Sequence, residues 1–186
     1  MNGIPKDAKL VFKGKLFDVY QWQQERFDGS FATYERLRRR PSVTILPITT
    51  EGKFIICEEE QPGREKFLST PGGQVDDGEG PTVAAARELL EETGLAGDIE
   101  PWMESHPYGN KIEWIVHNFI ARNVKKVADQ HLDPGERIRP FEVTFDELVD
   151  HALSNPNFRN VEHTLLFADV MRRPGGLEKL KAFLLG

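Results

Sequence analysis

The spacing of apolar and polar positions changes along the chain, and each change marks an element. Leu16 to Trp22 and Phe31 to Leu37 are short runs rich in aromatic and β-branched residues, with Asp28-Gly29 between them, which predicts a β-hairpin. Pro41 interrupts this pattern. Val43 to Ile48 and Phe54 to Cys57 then read as near-continuous apolar stretches around a Thr50-Glu51-Gly52-Lys53 turn, as expected of buried strands at the centre of a sheet. Glycines and Pro71 cluster from Thr70 to Gly80. Pro81 opens a helical pattern that runs to Thr93 and stops at Gly94, which follows the preference for Pro inside a helix start and Gly past its end. Lys111 to Ala121 has strand character, Phe141 to Thr144 is a shorter candidate, and Asp133-Pro134-Gly135 marks a loop between them. Phe145 to Leu153, Val161 to Arg172 and Leu177 to Leu185 carry helical spacing. Strands with interspersed helices predict an α/β (α+β) fold, an α/β/α sandwich on a mixed sheet with an N-terminal β-hairpin extension.

Length and composition narrow this picture. A chain of 186 residues fits one domain with a small annexe, divided here into a strand extension over residues 1–40 and a main domain over 41–186. Hydrophobic residues at 39%, with 12 Phe and 3 Trp, supply a real core. The formal charge of −6 argues against nucleic acid or an anionic membrane as the main partner, so an anionic ligand has to be met by local cations. The single cysteine, Cys57, excludes an internal disulfide and a cysteine-based zinc site and reads as a small core residue. No apolar run is long enough to span a bilayer and the first residues have no signal-like apolar stretch, so a cytoplasmic location is expected.

The chemistry concentrates on the predicted helix. Glu88 precedes Glu91 and Glu92 by three and four residues, which puts three carboxylates on one helical side. Either this is a solvated acidic face, or a cation relieves the repulsion. Carboxylate oxygens suit a hard cation, and Mg²⁺ takes one or two carboxylates while keeping waters and substrate phosphates. Ahead of the helix, Gly73 is followed after five residues by Glu79, after seven more by Arg87-Glu88-Leu89, then by Glu91-Glu92 and Gly94-Leu95. With each fixed residue type at about 6% usage, a chance match has a probability of roughly 10⁻⁷.

That spacing is the complete Nudix box, and the chain resembles the Nudix hydrolases. The resemblance implies a loop-helix-loop that holds Mg²⁺ or Mn²⁺ through Glu88, Glu91 and Glu92 with Gly72 of the loop. It also implies that Arg87 pairs with Glu79, and that a metal-bound water attacks phosphorus. Val83, Ala86 and Leu90 are expected against the sheet, with Ala84-Ala85-Ala86 permitting close approach. Gly14 to Val19, Tyr34-Glu35-Arg36, Pro107-Tyr108-Gly109 with Glu113, and Gly135 to Arg139 look like the ADP-ribose and nucleoside-diphosphate-sugar pyrophosphatase branch. The chain departs from that branch in Glu60-Gln61-Pro62-Gly63-Arg64 and in Ser69-Thr70-Pro71, where the branch commonly has Glu before Leu-Pro.

The resemblance implies a hydrolase giving a nucleoside monophosphate and a sugar phosphate, working as a homodimer through the hairpin. Hydrolysis of nucleoside triphosphates or dinucleoside polyphosphates, or a nucleotide-sugar sensor without turnover, are the other readings. Catalysis is expected of Arg87, Glu91, Glu92 and Glu136; Glu136 reads either as the general base on its loop or as a surface carboxylate paired with Arg137 or Arg139, with Glu113 and Glu91 in reserve as base. Tyr34, Arg36, Arg38, Arg64 and Tyr108 are the candidate substrate contacts, guanidinium forks matching phosphate oxygens, while the Arg36 to Arg40 run also reads as a solvated strand end and Tyr34 as a core or interface aromatic. Glu58-Glu59-Glu60 reads as a charged strand end rather than a second metal site, and the five histidines as hydrogen-bonded structural residues.

Overall fold

The computed structural model describes residues 3–107 and 109–186. The chain opens with β1 (Lys9–Lys13), β2 (Phe17–Glu25) and β3 (Phe31–Arg39), antiparallel neighbours. The β2–β3 turn is the expected Asp28-Gly29, where Gly29 takes a φ of 80° that a side chain would resist. The main sheet follows with β4 (Ser42–Thr49), β5 (Phe54–Glu60) and β6 (Phe67–Ser69), then helix α1 (Pro81–Thr93). Next come β7 (Leu95–Ser105), β8 (Ile112–Glu113), β9 (Val116–Lys126) and β10 (Arg137–Val143), before α2 (Phe145–Ser154), α3 (Val161–Met171) and α4 (Gly176–Leu185).

The six-stranded sheet runs β10-β5-β4-β9-β7, with β6 pairing β5; β4 and β9 are parallel and the other pairs antiparallel, so the sheet is mixed. The four-stranded sheet runs β1-β2-β3-β8. The predicted strand over Lys111 to Ala121 is thus two strands in different sheets. Trp114 and Ile115 carry the crossing, with Trp114 Nε1 donating to Ser42 Oγ at 3.1 Å.

Side-chain alternation sorts the central strands onto two cores. Val43, Ile45, Ile55, Phe119 and Ala121 face α1, where they meet Ala84, Ala85 and Leu89. Leu46, Ile48, Phe54, Ile56 and Ile120 face the opposite layer, where they meet Leu148 of α2, Phe167 of α3 and Leu184 of α4. This is the expected α/β/α sandwich. One expectation about it is corrected: Val83 and Leu90 are 61% and 38% exposed, and Ala86 is exposed too. The seated stripe of α1 is instead Ala84, Ala85, Glu88, Leu89 and Glu92, because the glutamates are drawn inward with the helix. No helix among the described residues is long and apolar enough to cross a membrane.

Candidate active site

The loop before α1 is laced along β4. Ile45 N donates to Pro71 O at 2.8 Å, Val43 N to Gly73 O at 2.8 Å, and Val75 N to Pro41 O at 2.9 Å. Glycine gives the loop room on both sides, Gly72 against β4 and Gly73 against α1. A Cβ on Gly72 would lie 2.3 Å from Val43 O, and one on Gly73 would lie 2.1 Å from Glu88 Oε1. The backbone N–H of Gly72 donates to Glu92 Oε2 at 2.8 Å, which ties the loop to the last turn of α1. Arg87 fastens the other end. Its guanidinium grips Glu79 with both prongs, at 3.0 and 2.9 Å, and donates to Gln74 O at 3.0 Å. Its remaining nitrogen reaches Glu88 at 2.9 Å and Glu91 at 3.1 Å.

These groups line an open cavity of about 720 Å³, whose walls include Gly72, Arg87, Glu88, Glu91, Glu92 and Glu136. Arg64 lines it as well. Only 6% of Glu92 is exposed, and burial, reinforced by Glu59, Glu88 and Glu136, pushes its carboxyl well above the usual range. Burial also raises Glu88 against the pull of Arg87, and raises Glu136 with help from Asp133 and Glu91. Glu79 moves the other way, held low by Arg87, whose own pKa rises mainly through Glu79. Burial thus works against full ionisation of the carboxyls that Arg87 does not hold.

Several expected residues lie elsewhere. Arg38 pairs with Glu113 at 2.5 Å and stacks on Tyr20, while Tyr34, 47% exposed, sits beside Trp22 on the outer sheet. The cavity includes neither them nor Arg36; Tyr108 lies outside the described residues. Alternation on β3 brings in Arg39 instead, its guanidinium 4.1 Å over the Trp114 ring. Alternation on β5 likewise separates the acidic triplet. Glu58 and Glu60 face Arg139 and Arg137 at the surface, whereas Glu59 turns inward onto the Ser69 hydroxyl behind Glu92, where burial raises its pKa. His163 is also a correction: it is fully buried between Trp102 and Phe167, with neither ring nitrogen hydrogen-bonded.

The donor set suits a hard divalent cation. Glu88, Glu91 and Glu92 offer carboxylate oxygens, and a cation would offset the burial, and the mutual repulsion added to it, that raise Glu88 and Glu92. In this arrangement Arg87 engages Glu88 and Glu91, and no three acidic, His or Cys groups among the described residues converge as a finished metal cage.

The chain is similar to several known proteins. The chain is 29% identical over 145 residues to the ADP-ribose pyrophosphatase of Bacillus subtilis, covering 75% of this chain and 77% of that protein. It is 28% identical over 147 residues to the methanol dehydrogenase activator of Bacillus methanolicus, covering 77% and 80%. The ADP compounds hydrolase NudE of Escherichia coli is 34% identical over 95 residues, half of each chain. A crystal structure of an ADP compounds hydrolase shares the fold at a TM-score of 0.72 and 24% identity, covering 88% of this chain and 90% of the other. The NUDIX domain pattern matches residues 38–164, and with the loop, helix and carboxylates arranged as described, the chain belongs to the Nudix family and is a Nudix hydrolase.

Proposed function

We propose that this protein hydrolyses the pyrophosphate bond of ADP-ribose or a nucleoside diphosphate sugar, giving a nucleoside monophosphate and a sugar phosphate. The observation that carries this reading is one cavity lined by Glu88, Glu91, Glu92 and Glu136 and by Arg39 and Arg64, together with similarity to an ADP-ribose pyrophosphatase over three quarters of the chain. Glu88, Glu91, Glu92 and Gly72 are the groups that would hold Mg²⁺ or Mn²⁺, which when bound supplies charge neutralisation and an acidified water. Arg39 and Arg64 face the diphosphate, offsetting the repulsion it meets in a protein of charge −6. Glu136, in the wall of the same cavity, accepts the proton of the attacking water. Arg87 keeps the loop on the helix.

The test is product analysis on a broad nucleotide panel with Mg²⁺ and again with EDTA. ADP-ribose should yield AMP and ribose 5-phosphate only with metal. Release of inorganic pyrophosphate from nucleoside triphosphates as the preferred reaction would overturn the substrate assignment, and no turnover of any nucleotide would favour a sensor. The reading includes a homodimer. Leu10, Val11 and Phe12 of β1 are 46%, 51% and 61% exposed, which leaves apolar surface on a strand that needs cover. Light scattering on the full chain and on one lacking residues 1–40 should give a dimer and a monomer; a monomeric full chain would refute it.

A further inference from the structure

Residues 127–136 join β9 to β10 and carry Glu136 to the cavity. The loop is tied to the C-terminal end of α1, where the helix leaves carbonyls without partners of its own. Val127 N and Ala128 N donate to Gly94 O at 2.9 and 3.2 Å, and His131 N donates to Glu91 O at 2.8 Å. The side chain of Gln130 adds a cross-brace. Its one amide nitrogen donates to Glu92 O and, at 3.0 Å, to Ile138 O, the second residue of β10. From residue 125 to 137 the side chains that are not exposed are Gln130, Leu132 and Glu136. A segment with so little burial has low local stability and is held by its few anchors.

We infer that Gln130 is a positioning residue for the hydrolysis: its amide locks the return of the Glu136 loop onto the last turn of the helix that carries Glu91 and Glu92. This rests on Glu136 as the general base. Both bonds leave the same amide nitrogen, so the start of β10 at Ile138 is bridged to Glu92 in the helix turn that sets the carboxylates. Reach matters because a proton acceptor must lie within hydrogen-bond distance of its water, and displacement by about 1 Å can cost on the order of 10² in rate. Among the described residues, Gln130 is the loop side chain that bonds both α1 and β10.

The experiment compares wild type with Gln130→Met, which keeps the length and apolar stem but donates nothing, and with Gln130→Asn, which keeps the amide but is too short to span both carbonyls. Each is assayed on ADP-ribose with Mg²⁺, followed by hydrogen exchange across residues 130–138 and combined with Glu136→Gln. The expected result is a loss of roughly 10- to 100-fold in kcat, with KM and half-saturating Mg²⁺ within threefold, and faster exchange in the loop. The double variant with Glu136→Gln should be no slower than Glu136→Gln alone, since both act through one group. A loss under threefold, a loss carried in KM, or a loss that multiplies that of Glu136→Gln would overturn the inference. If Glu136→Gln is crippled and the Gln130 variants are not, only this inference fails; if Glu136→Gln loses less than threefold, the base assignment fails with it. Should Gln130→Met fold poorly, Gln130→Asn decides by the same criteria.

Discussion

The two faces of the central sheet are built from the same strands and to opposite ends. On one face, Ala84 and Ala85 let α1 lie close against β4 and β9, with Leu89 as the one large helix residue fully buried there. On the other, Phe54, Phe145, Phe158 and Phe167 fill a thick layer closed by α2, α3 and α4. Small residues fix a helix at short range with little tolerance, which suits a face whose next turn must deliver Glu88 and Glu92 to a cavity. Large aromatic residues bury area, which suits a face that only has to hold. Position and stability are thus divided between the two sides of one sheet.

That division breaks or sharpens under substitution. Glu136→Gln, beyond the α1 face, should lose on the order of 10² to 10⁴ in kcat with little change in thermal midpoint; steady-state kinetics beside thermal melts check both halves. Phe54→Ala should do the reverse, costing about 3 to 5 kcal/mol in urea unfolding while the folded fraction keeps its KM. Ala85→Leu lies between. Overpacking should cost about 1 to 3 kcal/mol, and because the helix is displaced, the Mg²⁺ needed for half-maximal rate should rise; an unchanged metal titration would show that the fit under α1 does not set the carboxylates.

The smallest effect expected is acid sensitivity from the aromatic face. Burial holds the His163 imidazole below its ordinary value of 6.5, so the native state resists a proton that the unfolded chain accepts. Between the folded value and about 6.5 the unfolded chain binds more protons, and stability is lost as pH falls through that interval. Urea midpoints at about pH 7.5 and 5.5 should separate in the native protein and converge in His163→Phe.

Much of this architecture is legible in the sequence, and the exceptions share a cause. The turn of Asp28-Gly29, the central strands β4 and β5, and α1 from Pro81 to Thr93 follow from local signals alone. Strand β7 does not, because it is an edge: Pro101 is tolerated where one side needs no partner, and its pairing with β9 is irregular between Ala96 and Asp98 and between Pro101 and Met103, which erases the period-two pattern. The seated face of α1 misleads because a helix is assumed to bury its apolar stripe, whereas here Gly72 and Arg87 draw carboxylates into it. Glu59 and Arg39 were within reach of strand alternation. In Glu58-Glu59-Glu60 and Arg38-Arg39-Arg40 only the middle residue turns toward the site side, and a run of like charges hides that difference.

Cys57 makes the molecule its own gauge. The only thiol of the chain is fully buried on β5, two positions before Glu59, and burial pushes its pKa well up, so the nucleophilic thiolate is scarce in the native state. A thiol reagent can therefore reach it only through openings that lift the sheet away from its covering layers. The rate of its alkylation, read without any engineered label, measures how often the middle of this sheet comes apart, and saturation of that rate by a bound ligand would report how firmly the ligand closes it.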